Sequence, residues 1–122
     1  MHRHRFERLV ERAVRQIPPE LQAYLDNVAI IVEPVPNAAQ IARAGLNPGD
    51  RLYGLYEGIP LIQRSSDYGM VLPDKITIFQ ETIEADCTSD HEIVQEVNRT
   101  VLHELAHHFG IDDNRLRELK RY

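Results

Sequence analysis

The chain holds one cysteine, Cys87, in 122 residues. A single thiol has no partner for an internal disulfide, so nothing calls for an oxidising compartment, and Cys87 reads as a small buried apolar residue. Apolar runs of membrane-spanning length are absent. The opening Met1-His2-Arg3-His4-Arg5-Phe6-Glu7-Arg8 is followed by recurring charges, so it lacks the apolar stretch of a secretory signal, and a cytoplasmic location is expected. An excess of positive charge is also missing. The formal net charge of −5 argues against a surface built to neutralise phosphates. Repeats, low-complexity tracts and linkers do not occur. What is present is the composition of an ordinary soluble protein, 43% hydrophobic and 27% charged. The length suffices to bury a core without staples, and one domain over residues 1–122 is expected.

Phe6, Leu9, Val10, Ala13, Val14 and Ile17 recur at helical spacing, and Pro18-Pro19 ends the pattern. A short second helix is expected over about 19–26. Val28-Ala29-Ile30-Ile31-Val32 is apolar and β-branched, which suits a buried strand. Residues 34–51 carry Pro34, Pro36, Asn37, Gly45, Asn47, Pro48 and Gly49 and read as a long connection. Leu52 to Glu57 and Ile59 to Gln63 flank Gly58 as two strands or a hairpin. Lys75-Ile76-Thr77-Ile78-Phe79-Gln80 alternates as a half-buried strand does. One helical turn is expected over 81–87. A final long helix starts at Ser89, whose capping-box partner is Glu92, and stops at Gly110 with Ile111 as the apolar residue beyond it.

That helix and the residues just past its stop carry His103-Glu104-Leu105-Ala106-His107-His108-Phe109-Gly110-Ile111-Asp112-Asp113. At about 100° per residue, His103 and His107 lie nearly above one another, so both imidazoles reach one ion. Glu104 projects beside them, where a carboxylate approaches an activated water without being a ligand. Zinc prefers four ligands, one of them a water in a catalytic site, so a third protein donor is needed. Gly110 lets the backbone leave the helix and double back towards Asp113. The spacing resembles a His-Glu-x-x-His-x-x-Gly-x-x-Asp variant of the metzincin pattern, and register favours Asp113. Asp112 is the nearest rival ligand and Glu118 a weaker one. His108 points into the apolar arc and reads as a packed, hydrogen-bonded histidine.

The chain resembles the small bacterial zincin-like metallopeptidases, the minimal zincins. The likeness rests on Leu52-Tyr53-Gly54-Leu55-Tyr56-Glu57-Gly58, on Leu72-Pro73-Asp74-Lys75-Ile76-Thr77-Ile78-Phe79 and on the His103 to Asp113 motif. It implies an α+β fold, zincin-like, with a small mixed β-sheet packed on the long metal-binding helix; the N-terminal helix is added to it. It also implies Zn2+ as cofactor and a peptide or protein as substrate. The chain departs from the larger metzincins in having no methionine after Asp113; Met70 lies upstream. On this reading Zn2+ is held by His103, His107 and Asp113, and Glu104 is the general base. An extended substrate is expected along the edge of the Leu52–Glu57 strand. No motif selects an oxyanion donor among Tyr56, Arg115, Arg117 and Tyr122.

Two readings from other classes stay open. A metal-dependent endoribonuclease is one, yet the comparable ribonuclease family lacks the glutamate after the first histidine. Arg3, Arg5, Arg8, Arg12 and Arg15 are interleaved with Glu7 and Glu11, as on a solvated helix face. Neither nucleic acid nor membrane is expected as a partner. A non-catalytic zinc-binding or partner-binding module is the other.

Overall fold

The computed structural model describes residues 1–47, 49–58 and 73–119, and of Asp113 and Leu119 only the backbone. The first helix, α1, spans Arg3–Arg15 and buries Phe6, Leu9, Val10 and Ala13 on one face. Its last carbonyls face a segment in which Pro18 and Pro19 offer no N–H. Gln16 N and Ile17 N reach the Ala13 and Val14 oxygens at 3.2 and 3.1 Å, and side chains add to them: Gln22 Nε2 donates to the Val14 and Ile17 oxygens at 2.9 and 3.1 Å. Asn98 Nδ2 donates to the Ala13 oxygen at 2.9 Å. The short α2 (Pro19–Gln22) and a 3-10 turn (Ala23–Leu25) follow, close to expectation.

Among the described residues the sheet has three strands in the order β1-β3-β2: β1 is Val28–Glu33, β2 Gly54–Glu57 and β3 Asp74–Phe79. β1 runs parallel to β3, with Ile30 opposite Ile76, and β2 runs antiparallel to it, with Tyr56 opposite Ile76. The mixed sheet and the helices packed on it make the fold α+β. Two burial expectations are corrected. β1, read as buried, is an outer strand in which Val32 alone is buried. β3, read as half-buried, lies between the other two, and Ile76, Thr77, Ile78 and Phe79 are all fully enclosed. The long connection is also broken by a helix, α3 (Ala38–Arg43), started by a full capping box. Asn37 Oδ1 accepts from Gln40 N at 2.7 Å, and Asn37 N donates to Gln40 Oε1 at 2.9 Å. The strand expected over 59–63, and Met70, lie outside the described residues.

After α4 (Gln80–Asp86) comes the long helix α5, Asp90–Phe109. Its start is nearly as expected. Ser89 Oγ accepts from Glu92 N at 3.1 Å, but the Glu92 carboxylate accepts from Thr88 N at 3.1 Å and not from Ser89. The Thr88 hydroxyl and amide hold the Glu92 carboxyl below its ordinary range. Ser89→Ala is therefore expected to cost about 1 kcal/mol of stability, read as a lower urea midpoint with unchanged slope. The far end is a left-handed Gly110 at φ 68°, with Ile111 N donating to the Ala106 oxygen at 2.9 Å. Ile93, Val94, Val97, Val101, Leu102 and Leu105 of α5 meet the buried face of α1 in the core. Their burial fixes which face of α5 is left for chemistry. The last helix, α6, spans Asp113–Leu119. No helix among the described residues is long and apolar enough to cross a membrane.

Candidate metal centre and active-site cleft

The face of α5 that stays out of the core carries His103 and His107, both exposed, with Glu104 half-buried beside them. They open into a cavity of about 590 Å³. Along α5 its floor runs from Glu96 and Arg99 through Thr100, His103 and Glu104 to His107 and His108. That length is about 18 Å at 1.5 Å per residue. It matches about five residues of extended chain. The opposite wall is β2 with the segment leading into it, including Leu46, Arg51 and Leu52.

β2 lies on α5 because of what its residues lack and offer. An ideal Cβ on Gly54 would stand 2.6 Å from Thr100 Cγ2 and 3.0 Å from the Thr77 oxygen, so only glycine allows this approach. Two residues on, the Tyr56 N–H donates to Glu104 Oε1 at 2.9 Å. The two spacings match: two strand residues advance about 6.6 Å and four helical residues about 6 Å. The expectation of a free substrate edge along Leu52–Glu57 changes accordingly, since one of its outward donors already binds Glu104. Among the described residues, Glu104 Oε2 has no hydrogen-bond partner.

His108 departs from expectation. It does not enter the apolar arc but lines the same cavity, with its side chain 40% exposed. It does have partners: its ring stacks on Tyr56 at 3.9 Å and 14°, and its Nε2 lies 3.9 Å from Asp74 Oδ2. The Tyr56 hydroxyl donates to the same Asp74 oxygen at 2.6 Å. Of the four oxyanion candidates, Tyr56 borders the cavity. Arg115 and Arg117 are exposed on α6, beside Glu118 at 3.4 Å and Asn114 at 2.7 Å respectively, and Tyr122 lies outside the described residues.

Among the described residues three arginines line the cavity, and each meets a carboxylate: Arg43 with Glu57, Arg51 with Asp86, and Arg99 with Glu96 at 3.3 Å. Their charge is spent within the chain. Cys87, expected to be buried, is partly so. Burial, then the charges of Glu96 and Glu92, push its thiol above the ordinary range, which keeps it protonated and a poor nucleophile.

Among the described residues no three His, Cys, Asp or Glu side chains come together as a metal set. His103 and His107 supply two donors. Asp113 sits three residues past Gly110, at the start of α6. One oxygen of the Asp112 carboxylate is engaged: Oδ1 accepts from Arg115 N at 2.8 Å and caps α6. Glu118 is exposed beside Arg115.

This architecture recurs in a solved structure, a conserved hypothetical protein from Thermo thermophilus. The match has a TM-score of 0.57 and 24% identity, and covers 89% of this chain and 94% of that one. It defines the class as a small α+β fold of this type. A model of the zincin-like metallopeptidases matches residues 25–122, and the chain belongs to that family. No curated protein matches it.

Proposed function

We propose that the protein is a zinc-dependent peptidase, with Zn2+ held by His103, His107 and Asp113 and with Glu104 as general base. The observation that carries this is the exposed His103–Glu104–His107 face of α5, opening beside β2 into a cleft long enough for an extended peptide. The donor chemistry fits zinc: two imidazoles one turn apart, and an acid just beyond a left-handed glycine. Asp113 is favoured over Asp112 on register, and the cap made by Asp112 Oδ1 already fixes that carboxylate at the start of α6. When bound, zinc acidifies a water to a pKa of about 7 and polarises a carbonyl. Glu104 would take up a proton at Oε2 and pass it to the leaving amine. The remaining outward groups of β2 hold the peptide backbone. The neutralised arginines suit an uncharged backbone better than a phosphodiester, which favours a peptide over RNA. A cytoplasmic setting is part of this proposal.

The test begins with metal. Elemental analysis of the purified protein should find about one zinc per chain, and His103→Ala should lose it. Asp113→Ala should weaken zinc binding by far more than Asp112→Ala; the reverse order would move the third ligand to Asp112. Incubation with denatured protein and peptide libraries should then show cleavage that a chelator stops. Bound zinc without cleavage would instead make the protein a binding module.

A further inference from the structure

We propose that Tyr56, clamped by Asp74 and His108, is a positioning residue that sets the Glu104 carboxylate for its work as base. The inference rests on the peptidase reading above and adds three residues to it. It starts from the direction of one amide. Phe79 N donates to the Tyr53 oxygen at 2.9 Å, which makes 53 and 79 a hydrogen-bonded pair. Antiparallel pairs alternate, so Leu55–Thr77 and Glu57–Lys75 are the next bonded pairs, and the amides of Gly54 and Tyr56 point away from β3. An outward amide ordinarily meets water. Here it meets Glu104 Oε1 at 2.9 Å.

β2 is four residues long, and its ladder with β3 leaves the Tyr56 amide outside the pairing. The side chain of Tyr56 adds a second tie at the same place. Its hydroxyl is tied to Asp74 on β3 at 2.6 Å, and Asp74 is itself buried. Its ring lies flat against His108 at 3.9 Å, with Phe109 edge-on at 6.1 Å. His108 is one helical turn past Glu104 on α5. The clamp therefore joins strand to helix at the point where the Tyr56 amide meets the carboxylate. Binding Oε1 removes most of the rotamers of a long, flexible side chain and leaves Oε2 for the proton.

The test has a readout independent of turnover. In the wild-type protein, hydrogen exchange at the Tyr56 amide should be slow. It should quicken about tenfold or more in Glu104→Ala and in His108→Ala, because the clamp is the amide's protection. The Leu55 amide, paired with Thr77, should keep its protection in both variants. On a peptide substrate, His108→Ala should lower kcat about 10- to 100-fold with KM within about twofold and zinc retained. His108→Phe keeps a ring for stacking and should restore most of that loss. Exchange at Tyr56 indifferent to both variants overturns the clamp. A raised KM at unchanged kcat also overturns it, by making His108 a substrate contact. A wild-type protein that cleaves no peptide removes the peptidase reading instead, and the exchange data then decide the clamp separately.

Discussion

Glu104→Gln is expected to lower kcat for peptide hydrolysis by about 10²- to 10⁴-fold while leaving the zinc content of the protein unchanged. The substitution isolates one property. Glutamine has the shape of glutamate, and its carbonyl oxygen can accept the Tyr56 N–H as Glu104 Oε1 does at 2.9 Å. The strand-to-helix contact is kept, and so are the imidazoles of His103 and His107. What changes is the second oxygen, replaced by an NH₂ that donates and takes no proton. His103→Ala is the contrasting variant, since it should lose the metal and the activity together. The measurement is kcat with zinc determined on the same preparation. An unchanged rate would remove the base from Glu104. Lost zinc would make Glu104 a ligand.

The helix that carries this chemistry is the most legible part of the sequence, because its signals are local. A cap at Ser89, charges in the first turn, an apolar arc and a glycine stop lie within 22 residues, and α5 runs Asp90–Phe109 as they imply. The burial of the strands is less legible because it depends on what lies beside a strand in space. Val28–Val32 is apolar throughout, yet among the described residues β1 is an outer strand of the sheet. Lys75–Gln80 alternates, yet β3 is the middle strand, and Thr77 is as enclosed as Ile76. The helix α3 has a signal, but a weaker one than its surroundings. Asn37 and Gln40 form a capping pair, while the prolines and glycines around them point to an irregular connection.

The candidate site divides in the same way. His103, Glu104 and His107 share a helix, so their spacing alone brings them to one face. The wall across from them comes from residues about 50 positions earlier in the chain, and no periodicity links the two. Tyr56 and Asp74 belong to stretches that carry the family likeness, but nothing in those stretches gives Asp74 a role. The helical pattern turns His108 the wrong way because it implies a wider covered arc on α5 than the fold provides. His108 and Phe109, at the end of the helix, emerge beside Tyr56 and not in the core. One local hint is there to be read. A glycine within a strand pattern marks close approach of another backbone or helix, and Gly54 does that here.

Gly54→Ala is expected to destabilise the fold by about 1–3 kcal/mol, through overpacking and with no change of polarity. The added Cβ would meet Thr100 Cγ2 at 2.6 Å, the Thr77 oxygen at 3.0 Å and Ile78 Cδ1 at 3.3 Å. Thr100 is β-branched and within a helix, so its χ1 has one other favoured well into which to turn the methyl. The Thr77 oxygen belongs to the backbone of the central strand and cannot retreat without disturbing both neighbours. Relief must come from β2 lifting off α5, which also draws the Tyr56 amide from Glu104. Activity should therefore fall along with stability. A second substitution separates this cause from a general loss of fit. Thr100→Ser deletes the methyl that makes the worst contact. Alone it should cost about 0.5–1.5 kcal/mol, as the loss of one buried methyl does. Combined with Gly54→Ala it should be less costly than the sum, with a coupling of about 0.5 kcal/mol or more, because the two residues compete for one space. Urea midpoints of the four proteins in this cycle measure it. Strict additivity, or a Gly54→Ala protein as stable as the wild type, would mean that β2 is not held against α5 by the absence of a side chain at position 54.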